Sequence, residues 1–250
     1  MNFLRLNGRK FVLGFPKYKE ICLEGLTCES KTEHSMFMPT YDFLKKLHMK
    51  HIQQFAFSNS DYFNRRNECL TIGFRPDLVI FNMIDTKKGV CMELNFAFGL
   101  LLDNLGYKVK YVKCLKRNKD RYYKIFHLGL IVTAIDETKG KLQDYFVDIG
   151  FGEYFRYPIP IGKTTDEPID GLQITENYNH LTIRNMSDYS EILLVYTSYY
   201  VSMLDIIENY VDFYRSEAND FPLCKSLSER IYSNKDQKFV ELDKPIRSKL

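Results

Sequence analysis

Phe126-His127-Leu128-Gly129-Leu130-Ile131-Val132-Thr133-Ala134 is followed, across a polar stretch, by Gln143-Asp144-Tyr145-Phe146-Val147-Asp148-Ile149. Both runs are rich in β-branched and aromatic residues with partial alternation, and they read as strands. The intervening Asp136-Glu137-Thr138-Lys139-Gly140 is turn chemistry, so the two runs predict a hairpin. Pairing His127 with Asp148 centres that hairpin between Glu137 and Thr138, inside the turn. The two polar side chains then face each other, or stand one diagonal step apart, on one side of the sheet. Their Cβ atoms would be about 5 to 8 Å apart, within reach of an imidazole–carboxylate hydrogen bond. A slip of one residue would send them to opposite faces.

Working outward, Tyr107–Leu115 and later Leu172–Ile174, His180–Arg184 and Ile192–Tyr200 are also strand-like. Upstream the period changes. A helix is expected from Pro39-Thr40, with Phe43, Leu44, Leu47, Ile52 and Phe55 at helical spacing. Asn59–Asn67 is polar and turn-rich. A second helix fits Cys91–Leu105, whose Leu94, Phe98, Leu101, Leu102 and Leu105 form one stripe, and Gly106 stands where a left-handed cap belongs. A third fits Met203–Ser216. Residues 1–38 give no clear element. Helices first and sheet afterwards is an α+β arrangement.

A formal net charge of +3 is too mild to argue for a nucleic-acid partner. No apolar run suits a signal peptide or a bilayer span. Six cysteines without a CxxC pair point to reduced thiols, and the cytosol is the expected address.

One of those cysteines is placed for chemistry. Lys88-Gly89-Val90-Cys91 opens the second helix. A thiol in a first turn lies near unpaired backbone N–H groups and the positive end of the helix dipole, which favours the thiolate that attacks carbonyl carbon. Most cysteines are simply small buried apolar residues. What distinguishes Cys91 is its company: with His127 and Asp148 it supplies nucleophile, base and orienting acid. His48 and His51, three apart on a helix, could share a face as metal ligands do, but no third or fourth ligand stands nearby, and no metal is expected. Lys45, Lys46 and Lys50 read as a solvated helix face.

These residues resemble the arylamine N-acetyltransferase family. The resemblance is carried by Pro39-Thr40 through Leu47-His48 and His51, by Phe57 and Asn59, by Gly89-Val90-Cys91-Met92-Glu93-Leu94-Asn95, and by Leu105-Gly106-Tyr107. It continues through His127-Leu128-Gly129-Leu130-Ile131-Val132, Val147-Asp148-Ile149-Gly150-Phe151-Gly152 and Pro158, with a weaker echo at Asp205–Tyr210. It implies a papain-like Cys-His-Asp triad on a cysteine-proteinase-like core: helical bundle, β-barrel and C-terminal α/β lid. The chain then divides into an extension at 1–38, a bundle carrying the nucleophile at 39–106, a barrel carrying His127 and Asp148 at 107–202, and a shortened lid at 203–250. The implied reaction passes acetyl from acetyl-CoA through a Cys91 thioester to an arylamine or hydrazine. Phe151 would border the acceptor pocket, and Gly150 and Gly152 would let the CoA pantetheine approach.

The chain departs from the family's pattern in three places. Lys87-Lys88-Gly89-Val90 replaces the usual Arg-Gly-Gly-aromatic, and Ser58 stands where the family has Glu. Lysine does not reproduce the planar, bidentate grip of arginine. The region after Phe221 is short, and Ala218-Asn219-Asp220 lacks the serine that relatives carry there, which leaves the acyl donor less defined. Two other readings therefore stand beside the enzyme: a binding protein that keeps the fold with weakened chemistry, and a cysteine hydrolase, since the same triad attacks amides.

Overall fold

The structure, a computed structural model, describes residues 14–26, 38–60, 74–118, 121–122, 127–162, 168–208 and 228–242. The expected polar stretch beyond Ser60, the far half of the helix expected over Met203–Ser216 and the Phe221 region lie outside these residues.

The helices come first. They are α1 (Phe15–Leu23), α2 (Tyr41–Gln54), α3 (Pro76–Thr86) and α4 (Cys91–Asn104). Thr40 caps α2 by accepting from Phe43 N–H at 3.4 Å, so Pro39 precedes the cap and the helix starts at Tyr41. Helix α4 is buried nearly all round, as a core helix should be. It ends as expected at Gly106, with a positive φ of 88°. Gly106 N–H reaches Asp103 O and Tyr107 N–H reaches Leu102 O, both at 3.0 Å, the paired bonds of a Schellman cap. Helix α1 lies within residues 1–38, read above as having no clear element, and α3 lies between the two expected helices, where no element was expected.

The main sheet runs β7-β6-β5-β3-β10-β9-β8, with neighbours antiparallel: Ile159–Pro160, Lys141–Val147, His127–Asp136, Lys108–Asn118, Glu191–Tyr200, His180–Asn185 and Leu172–Asn177. The short β4 (Arg121–Tyr122) pairs with β3. The sheet curls, barrel-like, around a core that includes Val112, Ile131, Phe146, Ile174, Ile183 and Val195. On its other side Leu128, Leu130 and Val132 pack with the helices in a second core. Alternation along β5 thus assigns even residues to the helices and odd ones to the barrel side.

The β5–β6 hairpin pairs Leu130 with Val147 and Asp136 with Lys141. In that register Asp148 lies opposite Gly129, so His127 and Asp148 are one diagonal step apart and share a face. The turn closes on Gly140 at φ 62°.

A second, small sheet has the order β12-β11-β1-β2: Lys238–Glu241, Glu229–Ser233, Ala56–Ser58 and Lys88–Gly89. It joins the C-terminal hairpin to the strand that leads directly into α4. Among the described residues no helix is long and apolar enough to cross a membrane.

Candidate active site

Cys91 is the first residue of α4, and Val90 is its N-cap. Glu93 folds back to accept the Val90 N–H at 3.0 Å, which tightens the turn that holds the thiol. One turn further on the same face stands Asn95, fully buried. Its amide nitrogen donates to Leu128 O at 2.7 Å and to Asp148 Oδ1 at 2.8 Å, and its oxygen accepts from Ile149 N–H at 2.9 Å. The helix that begins at Cys91 is thereby stitched to both strands of the hairpin.

Asp148 is 1% exposed, and every contact on it is directional. Oδ1 accepts from Asn95 and from Gly150 N–H at 2.9 Å; Oδ2 meets His127 Nε2 at 2.5 Å. That bond commits Nε2 to the carboxylate and leaves Nδ1 as the nitrogen for the thiol. Cys91 stands near enough to act on the charge of the ring. Burial works against a charged imidazole, but the charges of Asp148 and Cys91 outweigh it and push His127 up to about 10. The geometry therefore favours an imidazolium beside the sulfur. Cys91, His127 and Asp148, far apart in sequence, converge here.

Phe151 stands edge-on to His127, with ring centroids 5.3 Å apart at 76°, and Lys116 Nζ lies 4.5 Å from its centroid. Gly150 and Gly152 are both close-approach positions against the chain itself. A Cβ at Gly150 would lie 2.7 Å from Cys91 O and 2.9 Å from Asn95 Nδ2; one at Gly152 (φ 78°) would lie 3.1 Å from Phe57.

His48 and His51 serve packing. His48 Nε2 lies 3.3 Å from Asp148 O, and His51 Nε2 bonds the Tyr18 hydroxyl at 2.7 Å. Burial lowers His48 to about 4 and holds His51 well below the usual imidazole range. Among the described residues no group of three His, Cys, Asp or Glu side chains could hold a metal ion.

Two features go beyond what was singled out from sequence, where Lys88 and Ser58 stood only as departures from the family pattern. Asn95 carried a signal: an amide four residues after Cys91, inside the apolar stretch of the helix. The other is a buried cluster of Lys88, Ser58, Ser60 and Glu229. Ser58 donates to Glu229 Oε1 at 2.6 Å, and Lys88 Nζ lies 3.7 Å from the same oxygen. The carboxylate absent at position 58 is thus supplied from β11. Lys87, meanwhile, adopts a left-handed conformation (φ 55°) and turns its ammonium over Phe55.

Comparison with solved structures places this fold. It superposes on arylamine N-acetyltransferase C of Bacillus anthracis with a TM-score of 0.70 at 15% identity, covering 93% of this chain and 86% of that one. For the Mycobacterium marinum arylamine N-acetyltransferase in complex with CoA the TM-score is 0.64 at 16% identity, covering 84% and 83%. The family profile described as N-acetyltransferase matches residues 40–195, and the protein is an enzyme of that class. An uncharacterized acetyltransferase of Acanthamoeba polyphaga mimivirus is 34% identical over 206 residues, 80% of this chain and 92% of the relative. The chain belongs to the N-acetyltransferase family, that of the arylamine N-acetyltransferases.

Proposed function

We propose that the protein transfers acetyl from acetyl-CoA to an arylamine or hydrazine nitrogen in two steps through a thioester on Cys91. The observation that carries this reading is the junction of Cys91, His127 and Asp148 at the start of a buried helix. In the first step the Cys91 sulfur attacks the acetyl carbonyl carbon. The tetrahedral intermediate collapses by breaking the bond to the CoA sulfur, which takes a proton from the His127 imidazolium. In the second the amine nitrogen attacks the thioester, His127 accepts the proton that nitrogen sheds, and the Cys91 sulfur leaves. Asp148 keeps Nε2 occupied so that Nδ1 serves the sulfur in both directions.

Phe151, edge-on to the base, borders the acceptor. The CoA complex of the Mycobacterium marinum enzyme, which shares this fold, supports CoA as carrier of the acyl group. Gly150 and Gly152 are the positions past which the pantetheine arm would run, and both also hold the loop against Cys91 and Phe57.

The test compares wild type with Cys91→Ala on acetyl-CoA plus an arylamine. Acetylated amine from wild type alone supports the proposal. Equal product from both, or none from either at high enzyme concentration, rejects it. Release of CoA with free acetate, unaffected by amine, would identify a hydrolase.

A further inference from the structure

The small sheet carries chemistry that the triad does not use. Pairing across β1 sets Lys88 beside Ala56 and Glu229 beside Ser58. Ala56 and Ser58 point to one face, since strand side chains alternate, so Lys88, Ser58 and Glu229 gather there. Lys88 is 9% exposed and Glu229 3%; Ser60 Oγ also accepts from Lys88 Nζ at 2.7 Å. Residues one step along face the other way. Phe57, opposite Arg230, packs on Gly152, and Arg230 Nη1 donates to Glu153 Oε2 at 2.8 Å. The same loop is held again by Arg156, which donates to the Gln237 carbonyl at 2.9 Å.

We propose that Glu229 and Arg230 are positioning residues: neighbours in sequence pointing in opposite directions, they clasp the strand entering the nucleophile and the loop leaving the acid. The inference rests on the reading of Cys91 as nucleophile. Lys88 lies three residues before Cys91, and Glu153 five after Asp148. Removing the Glu229 carboxylate takes away the acceptor of Ser58 and a counter-charge 3.7 Å from the buried Lys88 ammonium, which loosens the strand leading into Gly89 and Val90. The Arg230–Glu153 pair is about one-third exposed, so it adds little stability and acts by fixing the direction of the loop. The β11 strand would thus support the site through two adjacent side chains.

The experiment uses the full chain as wild type, Glu229→Gln, Arg230→Met, Lys88→Arg, Glu153→Gln and the Arg230→Met/Glu153→Gln double variant. Two readouts are taken: amide hydrogen exchange, and the single-turnover rate of CoA release from acetyl-CoA. Glu229→Gln should speed exchange over residues 88–94 and slow CoA release by roughly tenfold or more, since small misplacements of reacting groups cost large factors in rate. Lys88→Arg keeps the charge and should stay within about threefold of wild type, where a charge pair is what matters. Arg230→Met should speed exchange over 150–153, and the double variant should add to Glu153→Gln alone less than Arg230→Met adds to wild type, since Glu153→Gln already removes both the Arg230 pair and the 3.7 Å contact with Lys116.

Unchanged exchange and CoA release in folded Glu229→Gln and Arg230→Met overturn the clasp. If Glu229→Gln does not fold, Arg230→Met decides by the same criteria. If wild type releases no CoA, the proposed function fails, and exchange alone decides the clasp: faster at both segments upholds it, unchanged sinks it.

Discussion

Asn95 Nδ2 donates to Asp148 Oδ1 at 2.8 Å, which binds the proposed orienting acid to the helix that carries Cys91, the proposed nucleophile. Because Asn95 is one turn from Cys91 and also holds Leu128 O and Ile149 N–H, it sets the spacing between α4 and the hairpin.

Asn95→Ala should therefore lose both function and stability. It leaves a buried carbonyl, a buried N–H and one carboxylate oxygen short of a partner, at about 1–3 kcal/mol for each unsatisfied group. Acetyl transfer should drop by roughly 100-fold, as expected when supporting groups let a site loosen. Turnover measured beside a urea melt checks both. Wild-type turnover in a stable Asn95→Ala protein would contradict the assigned role.

Glycine substitutions should separate the site from the fold. Gly150→Ala forces a methyl to 2.7 Å from Cys91 O and 2.8 Å from Cys91 Cα, backbone atoms that cannot swing away. It should cost about 1–3 kcal/mol as overpacking does and remove most activity. Gly140→Ala meets nothing within 4 Å, and only its φ of 62° resists. It should cost about 1–2 kcal/mol for the left-handed backbone and leave turnover unchanged. Melting curves and steady-state rates on the two variants test this contrast.

His127 should make the protein alkali-sensitive. Despite burial, Asp148 and Cys91 raise its pKa in the folded state to about 10, whereas an unfolded imidazole titrates near ~6.5. The folded state holds the proton more tightly, so this contribution is complete below the unfolded value and is lost as pH rises through the folded one. The urea midpoint should fall between pH 7 and 10 in wild type and fall less in Asp148→Asn. Equal slopes would contradict the pairing.

At the acid end two buried histidines should act together, His51, held well below the usual imidazole range, and His48. Burial lowers His48 to about 4, so an unfolded chain binds its proton first and stability is lost as pH falls from about 6.5 toward that value. His48→Gln should flatten this slope in a pH series of urea melts. With His48 against the Asp148 carbonyl and His51 on Tyr18, neither added zinc nor a chelator should move the wild-type midpoint.

The hairpin was legible because its turn residues, its alternation and two polar interruptions agree with one another. The diagonal placement of His127 and Asp148 falls within that reading, while the ladder centres the turn one residue later than pairing them directly would. Cys91 at a helix start was equally legible from Gly89-Val90 before it and the apolar stripe after it. Helix α3 was missed for a physical reason. Leu78-Val79-Ile80-Phe81 are consecutive apolar residues, a run that does not separate helix from strand, although Pro76 and Asp77 mark a helix start. Helix α1 spans only nine residues; so short a segment is set by packing Phe15, Tyr18 and Cys22 into the core more than by its own propensity. The Ser58–Glu229 bond joins residues 171 apart in sequence. No local pattern announces that contact; only the pairing of β11 with β1 creates it.

The most direct test of the account is the mass of the intact protein after mixing with acetyl-CoA in the absence of any amine. Wild type should gain one acetyl group, mapped to Cys91, with one equivalent of CoA released, and should lose that group when an arylamine is added. Cys91→Ala should gain nothing. An unmodified wild-type protein that nevertheless acetylates the amine, or an acetyl group carried elsewhere on the chain, would contradict transfer through Cys91.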